Sequence, residues 1–262
     1  MFYSLWTNPF EGLDIVKYDI YIDTVKFVES PRDKIYILCE PSGFMPERLI
    51  FLESYHNKFK LILTYDNIIL KKFKNAQLLV FGTTWIPKEL WNNNYQKENK
   101  ISFWIGHKRF MYGHEIRQLI FSYIEKINNI DLYLSKHHLL HHLNKSYKMI
   151  LGESKMPLFD KYKFHVCIEN CRMDNYFTEK LIDCFLTKTI PIYWGCTNID
   201  KYFNTKGMII LNINNIYEII DIINNISFDM YDKYYDIINE NHLKAQQYTD
   251  YNGSIIKAIN NL

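Results

Sequence analysis

The sequence of 262 residues is poor in glycine, proline and cysteine, and each scarcity excludes a class of protein. Only 9 glycines and 7 prolines are present, too few for a collagen-like or low-complexity chain. The five cysteines form no Cys-x-x-Cys pair, so neither a zinc ribbon nor a thioredoxin-like redox site is predicted. We interpret them as free thiols in a reducing compartment.

Long hydrophobic runs and an excess of one charge are also missing. No apolar run approaches the ~20 residues that a membrane helix needs. The first residues, MFYSLWTNPF, lack the basic start and continuous apolar core of a signal peptide. We therefore expect a soluble intracellular protein without a membrane anchor. The net charge is only +2 and the positive residues are dispersed, which argues against a nucleic-acid partner.

What the sequence does contain is a hydrophobic core, because 48% of its residues are hydrophobic and 16% are aromatic. Short β-branched and aromatic runs alternate with helical patterns, which is typical of an α/β protein with parallel strands. The predicted strands are 34–39, 60–64, 77–81, 101–105, 131–134, 163–168, 189–193 and 208–211. The predicted helices are 46–59, 66–73, 113–127 and 178–188, and the last fifty residues are predicted to be helical with breaks near Ser227 and Asn252.

The polar stretch from Trp91 to Lys100 shows no periodic apolar pattern and is a candidate linker. After it the alternation of strand and helix begins again. The sequence therefore predicts two α/β domains, a reduced N-terminal domain over residues 1–97 and a C-terminal domain over residues 98–262.

One segment, residues 164–184, combines a buried strand, a polar loop and a helix that begins at Thr178. Ligands of open α/β sheets bind at the carboxyl ends of the strands, and a helix N-terminus attracts anions. Lys180 lies in the first turn of this helix, where its charge opposes the helix dipole unless an anion lies nearby. The segment is thus a candidate anion site, although an exposed Lys180 explains the pattern equally well.

Three motifs in this region carry a family resemblance. They are Glu169-Asn170, Tyr176-Phe-Thr-Glu-Lys180 and Ile190-Pro-Ile-Tyr-Trp-Gly195. Together they resemble the donor-binding signature of glycosyltransferase family 10, the α1,3/4-fucosyltransferases, and most of all its soluble bacterial members. Cys171 and Asn175 depart mildly from the family pattern within the variable loop.

Two upstream segments extend the resemblance. Residues 101–117 look like the family's strand, loop and helix that end in an arginine, here Arg117, which meets the donor diphosphate in relatives. A guanidinium group can donate to two phosphate oxygens at once, which suits this role. The alternative is that Arg117 is an exposed arginine on the helix surface. The loop from Leu38 to Pro46 resembles the one that supplies the carboxylate facing the acceptor, and Glu40 is the matching residue.

The resemblance implies a GT-B fold, in which two Rossmann-like domains face each other across a cleft. It also implies inverting, metal-independent transfer of L-fucose from GDP-β-L-fucose to a glycan hydroxyl, with no cofactor besides the donor. Glu40 is then the candidate general base, while Arg117 and Lys180 stabilise the leaving diphosphate. The donor-binding residues implied by the resemblance are Arg117, Asn170, Tyr176, Glu179 and Lys180.

Several alternatives remain at this point. The histidines of residues 136–142 are spaced for a metal on a helix face, although a solvated face is the simpler interpretation. No Asp-x-Asp carboxylates for Mn²⁺ and no P-loop occur in the sequence, which disfavours an NTP-using enzyme. A transferase for a different nucleotide sugar and a non-catalytic module that binds nucleotide sugars or glycans both stay possible.

Overall fold

The computed structural model describes residues 2–4, 17–41, 46–135, 148–149, 154–212 and 215–262. In chain order the elements are β1 (Phe2–Ser4), β2 (Tyr18–Ile22), β3 (Asp33–Ile37), α1 (Glu47–Tyr55), β4 (Leu61–Thr64), α2 (Asn67–Lys72), β5 (Ala76–Leu78), β6 (Glu98–Ile105), α3 (Tyr112–Ser122), β7 (Ile130–Leu134), β8 (Lys148–Met149), β9 (Tyr162–Ile168), α4 (Glu179–Leu186), β10 (Ile190–Trp194), β11 (Ile209–Ile210), α5 (Ile216–Asn224), α6 (Met230–Lys233), α7 (Tyr235–Ala245) and α8 (Tyr251–Asn260).

Backbone contacts divide the chain into two compact units. The first unit comprises Met1–Phe81, Met173–Tyr176 and Asp250–Leu262, and the second comprises Gly82–Arg172 and Phe177–Thr249. Each unit contains its own all-parallel sheet, as the alternation of strands and helices predicts.

The sheet of the first unit has the strand order β1-β2-β3-β4-β5. Its core consists of the isoleucines and leucines of β2, β3 and β4, and α8 adds Ile255 and Ile259 to them. The last helix of the chain therefore completes the first unit. Strand β2 was not predicted, because Asp19 interrupts its apolar pattern even though this residue is buried.

The sheet of the second unit has the order β11-β10-β9-β6-β7-β8. Helices α3 and α5 pack against one of its faces, where Phe103 and Ile105 of β6 belong to the same core as Ile116 and Ile120 of α3. The strands are parallel, so β9 and β10 end at the same edge as β6, and α4 begins beyond that edge after β9.

The changeover between the units lies between Phe81 and Gly82, ahead of the boundary after residue 97 that the sequence predicts. Residues 82–97 pack within the second unit. For example, Lys97 Nζ donates to the Phe159 carbonyl (2.6 Å) and to Thr189 Oγ1 (2.9 Å). The assignment of residues 1–97 to the acceptor and 98–262 to the donor stays a prediction.

The C-terminal helices show both predicted breaks. The break near Ser227 is confirmed, because α5 ends at Asn224 and α6 begins at Met230. The break near Asn252 is also confirmed, because the 3-10 turn that follows α7 ends at Tyr248 and α8 begins at Tyr251. Asp250 accepts a hydrogen bond from the N–H of Gly253 and so starts α8 just before Asn252. Among the helices of the described residues, none has the length and apolar character to cross a membrane.

Candidate functional site

Arg117 and Asn170, two of the predicted donor-binding residues, contact each other in the second unit. The Arg117 guanidinium donates through Nη2 to Asn170 Oδ1 at 3.0 Å and through Nη1 to the carbonyl oxygen of Ile168. Ile168 ends β9, so α3 delivers the guanidinium to the carboxyl end of that strand. Arg117 is buried, and the alternative of an exposed helix arginine is therefore wrong.

Glu169 directly follows β9, and the sequence analysis assigns no role to it. Its side chain links the end of β9 to the start of α4. Its carboxylate accepts hydrogen bonds from the Thr178 N–H (2.8 Å) and from the Thr178 hydroxyl (2.7 Å). Thr178 caps α4 by accepting a bond from the N–H of Lys180 (3.4 Å). Glu169 is fully buried, and burial raises its pKa even though Lys180 works in the opposite direction. The signal that could have identified it is a glutamate directly after a buried strand.

Two glycines leave the space that Glu169 occupies. A Cβ at Gly113 would overlap the carbonyl oxygen of Glu169, and a Cβ at Gly195 would lie 2.5 Å from Glu169 Cγ. The same Cβ at Gly195 would lie 2.6 Å from the Tyr193 hydroxyl. The backbones of α3 and of the loop after β10 thus approach Glu169 more closely than any side chain permits.

Lys180 is held by acidic and hydroxyl groups at the N-terminus of α4. Its Nζ lies 2.8 Å from Glu179 Oε1, 3.0 Å from Thr178 Oγ1 and 3.6 Å from Glu169 Oε2. Burial acts to lower the pKa of Lys180, but the carboxylates of Glu179 and Glu169 outweigh it, so the pKa is raised and the ammonium persists. The side chain is only 20% exposed, and the alternative of an exposed lysine is wrong.

Tyr176 belongs to the first unit, together with the other residues of the segment Met173–Tyr176. It is buried, and its ring centroid lies 5.2 Å from that of Tyr65. Asn175, with φ of 60°, donates to Asn67 Oδ1 at 3.1 Å, and asparagine tolerates this left-handed conformation better than most residues. The loop between Asn170 and Thr178 thus passes from the second unit into the first and back.

Glu40, the candidate base, follows β3 in the first unit and is half-buried. Its N–H donates to Asp23 Oδ2 (3.1 Å), and its carbonyl accepts from Arg48 (3.0 Å). Asp23 and Arg48 form a buried ion pair with 2.9 Å between Oδ1 and Nη1. Burial raises the pKa of Asp23 to about 6 although Arg48 opposes the shift. The pair fixes the backbone at Glu40, and the role of its carboxylate stays a prediction.

Asp183, on α4, is a buried carboxyl group that sequence reasoning missed. Its Oδ1 accepts from the Thr84 hydroxyl at 2.6 Å and from the Trp85 N–H at 3.0 Å, so it anchors the segment after Gly82 to α4. Burial raises its pKa to about 8. An aspartate within the apolar residues 181–186 is the signal that could have identified it.

A metal site was the remaining structural alternative. Among the described residues, no three acidic, histidine or cysteine side chains form a group that could hold a metal ion. The histidines of residues 136–142 lie outside the described residues. Metal-independent chemistry stays a prediction.

Comparison with known sequences gives one family. Residues 95–257 match the family model described as glycosyltransferase family 10 (fucosyltransferase), C-terminal. An α-(1,3)-fucosyltransferase FucT of Helicobacter pylori is 37% identical over 94 residues, 36% of this chain and 20% of the relative. A putative fucosyltransferase R654 of Acanthamoeba polyphaga mimivirus is 36% identical over 115 residues, 43% of this chain and 18% of the relative. The matches thus span about a fifth of these relatives' length.

Solved structures share the fold. The crystal structure of an α1,3-fucosyltransferase with GDP-fucose superposes with a TM-score of 0.53 and 19% identity, over 86% of this chain and 69% of the other. Anabaena Alr3699/HepE in complex with UDP-glucose gives a TM-score of 0.63 and 12% identity, over 94% and 79% of the two chains. These neighbours are GT-B glycosyltransferases, and the predicted α/β fold of GT-B type is confirmed.

Proposed function

The chain belongs to glycosyltransferase family 10, and on that premise we propose that it transfers L-fucose from GDP-fucose to a hydroxyl group of a glycan acceptor. The observation that carries the proposal is the grouping of Arg117, Asn170, Glu179 and Lys180 where β9 ends and α4 begins. The H. pylori relative is named an α-(1,3)-fucosyltransferase, and one structural neighbour contains GDP-fucose, which supports the choice of sugar.

In this proposal the second unit binds the donor. The Arg117 guanidinium and the Lys180 ammonium bind the diphosphate, since both are cationic at any physiological pH. Glu179 accepts hydrogen bonds from ribose hydroxyls. Burial acts to raise the pKa of Glu179, but the Lys180 ammonium outweighs it and the pKa is lowered, so the group is an ionised acceptor. Asn170 is the remaining donor contact of this unit, and the role of Tyr176, which belongs to the first unit, stays a prediction.

The proposed reaction is an inverting displacement without a metal. The acceptor hydroxyl oxygen attacks the anomeric carbon of fucose, the bond from that carbon to the diphosphate oxygen breaks, and GDP leaves. The hydroxyl proton passes to the carboxylate of Glu40. Arg117 and Lys180 stabilise the negative charge that develops on the diphosphate, which is typically worth ~3 kcal/mol or more per positioned group.

The test is a transfer assay with radiolabelled GDP-fucose, a panel of glycan acceptors and EDTA. We expect fucosylated product from the wild type and a loss of roughly 10²-fold or more in Arg117→Ala and Lys180→Ala. Lys201→Ala is the matched control, because this exposed lysine lies elsewhere in the same unit. Wild-type turnover in either site variant would remove that residue from the mechanism.

The same transfer assay, combined with thermal-shift measurements of ligand binding, separates the alternatives. Binding of GDP-fucose without product for any acceptor would favour a non-catalytic module. A larger thermal shift with UDP-glucose than with GDP-fucose would indicate a different nucleotide sugar, because a ligand stabilises the native state according to its affinity. Activity that disappears in EDTA and returns with Mn²⁺ would contradict the metal-independent mechanism.

A further inference from the structure

Within the described residues, the indole N–H of Trp104 is a buried donor without an acceptor. Trp104 lies near the carboxyl end of β6, and among the described residues its Nε1 has no hydrogen-bond partner. Buried polar groups are almost always paired, because an unpaired one loses its hydration without compensation. Only four buried side-chain atoms of the described residues lack a partner, and a second of them, Ser135 Oγ, directly follows β7 beside β6. Two of these four atoms thus lie at this edge of the sheet.

Lys155 lies directly over the Trp104 ring. Its Nζ is 3.7 Å from the ring centroid, well inside the ~6 Å range of a cation–π interaction. Within the part of the chain that the structure describes, this ammonium makes no hydrogen bond and has no carboxylate within 4.0 Å. Nε1 is an atom of the same ring, so two donors without oxygen partners lie side by side.

Another lysine of this unit shows what a purely structural lysine looks like. The ammonium of Lys97 donates to two oxygen acceptors, the Phe159 carbonyl and the Thr189 hydroxyl. Burial lowers the pKa of Lys97 to about 7. The fold thus supplies two oxygen acceptors to the buried ammonium of Lys97, whereas among the described residues the ammonium of Lys155 has a ring contact and no hydrogen bond.

The position of Lys155 connects it to the donor site. Burial lowers the pKa of Lys155, the carboxylates of Glu179 and Asp183 act in the opposite direction, and the Lys180 ammonium lowers it further. Lys155 is thus in electrostatic range of both charged residues that open α4. Trp104 stands on β6, which pairs with β9, so both donors lie at the sheet edge where Glu169 and Asn170 follow β9.

We propose that Lys155 is a third cation of the nucleotide-sugar site, stacked on Trp104, and that its ammonium binds a phosphate oxygen of the donor while the Trp104 N–H donates to an oxygen of the same ligand. This inference rests on the proposed function. It gives the leaving diphosphate three positive groups, Arg117, Lys180 and Lys155, and it gives the unpaired indole N–H its acceptor.

The test is isothermal titration calorimetry with GDP and with guanosine, which has no phosphate. We expect Lys155→Met to weaken GDP binding roughly tenfold or more, because a hydrogen bond to a charged group is lost, and to leave guanosine binding unchanged. Lys155→Arg keeps the charge and should retain most of the affinity. Trp104→Phe keeps a ring but removes the N–H, and should weaken GDP binding about three- to tenfold.

Lys161→Met is the matched control, because Lys161 also stacks on a ring, that of Tyr162, but precedes β9 at the opposite edge of the sheet. Its affinity for GDP should equal that of the wild type. A Lys155→Met protein that is folded by circular dichroism and binds GDP within about twofold of the control overturns this inference alone. A wild type that binds neither GDP nor GDP-fucose contradicts the proposed function instead. If Lys155→Met does not fold, equal affinities of Trp104→Phe and the wild type overturn the inference.

Discussion

Gly195→Ala tests whether the close packing around Glu169 holds the site together. The added Cβ would lie 2.5 Å from Glu169 Cγ, 2.6 Å from the Tyr193 hydroxyl and 2.9 Å from Glu169 Cβ. Both neighbours are buried, so neither side chain has free space into which it could move. We expect Glu169 to shift, and the cap that it provides through Thr178 to weaken with it.

The magnitude follows from the geometry. Adding one methyl group to a well-packed core costs about 1–3 kcal/mol. In a chain of this size each kcal/mol lowers the melting temperature by roughly 2–4 °C, so we expect a decrease of about 2–12 °C. Gly113→Ala should cost at least as much. Its Cβ would overlap the backbone oxygen of Glu169, which outweighs the ~1 kcal/mol that alanine gains over glycine within a helix.

Gly106→Ala is the matched control. A Cβ there would meet only the Trp104 ring, at 3.9 Å, an ordinary van der Waals distance. The assay is thermal unfolding of the three alanine variants, followed by GDP titration of those that fold. If Gly195→Ala melts within about 1 °C of Gly106→Ala and binds GDP as tightly as the wild type does, packing around Glu169 does not support the site, and the reasoning is refuted.

Three further predictions concern other parts of the chain. Glu40→Gln should keep GDP binding but lose about 10²-fold or more of fucosyl transfer in the radiolabel assay, and a loss below about tenfold is too small for a general base. The pKa of Asp183 is raised from 3.8 to about 8, so its stabilising contribution is full below pH 4 and is lost as the pH rises through 8. Urea unfolding of the wild type should therefore show a free energy of unfolding that decreases between pH 5 and 8, by at most about 1.4 kcal/mol per pH unit. Asp183→Asn should lack this decrease, and equal pH dependence of the two proteins would contradict the prediction. Ile255→Ala should cost about 2–5 kcal/mol because Ile255 is fully buried in the first unit, whereas Ile256→Ala, at a position that is 40% exposed, should stay within about 0.5 kcal/mol.

The second unit was predictable because its central strands carry a simple signal. Strand β9, with the sequence Tyr-Lys-Phe-His-Val-Cys-Ile, is buried almost throughout, and a continuous apolar run bounded by polar loops identifies such a strand. Helix α4 has one apolar face and a threonine cap, and both are visible in the sequence. The prediction of a site at the junction of β9 and α4 needed only these local patterns.

The assignment of segments to units was not predictable in the same way. The apolar face of α8 has the same period whether it packs on the sheet of the first unit or on that of the second. The sequence therefore does not reveal that Ile255 and Ile259 join the core of β2, β3 and β4. Likewise, residues 173–176 look like part of a loop in the second unit. Their place in the first unit depends on contacts of Asp174 and Asn175 with Asn67, about a hundred positions earlier in the chain.

The helix-dipole argument predicted an anion near Lys180 but did not consider that the chain itself could supply it. A lysine in the first turn of a helix needs a nearby anion, and the structure supplies two of them, the carboxylates of Glu179 and Glu169. A diphosphate that binds Lys180 must therefore compete with these groups. Glu169 is fixed by two bonds from Thr178, whereas Glu179 stands on the first residue of α4 and is about a fifth exposed. We expect Glu179 to be the group that yields, and a carboxylate released from Lys180 beside the bound nucleotide is then available to the ribose hydroxyls. One exchange of partners at Lys180 thus accounts for the roles proposed for both neighbours.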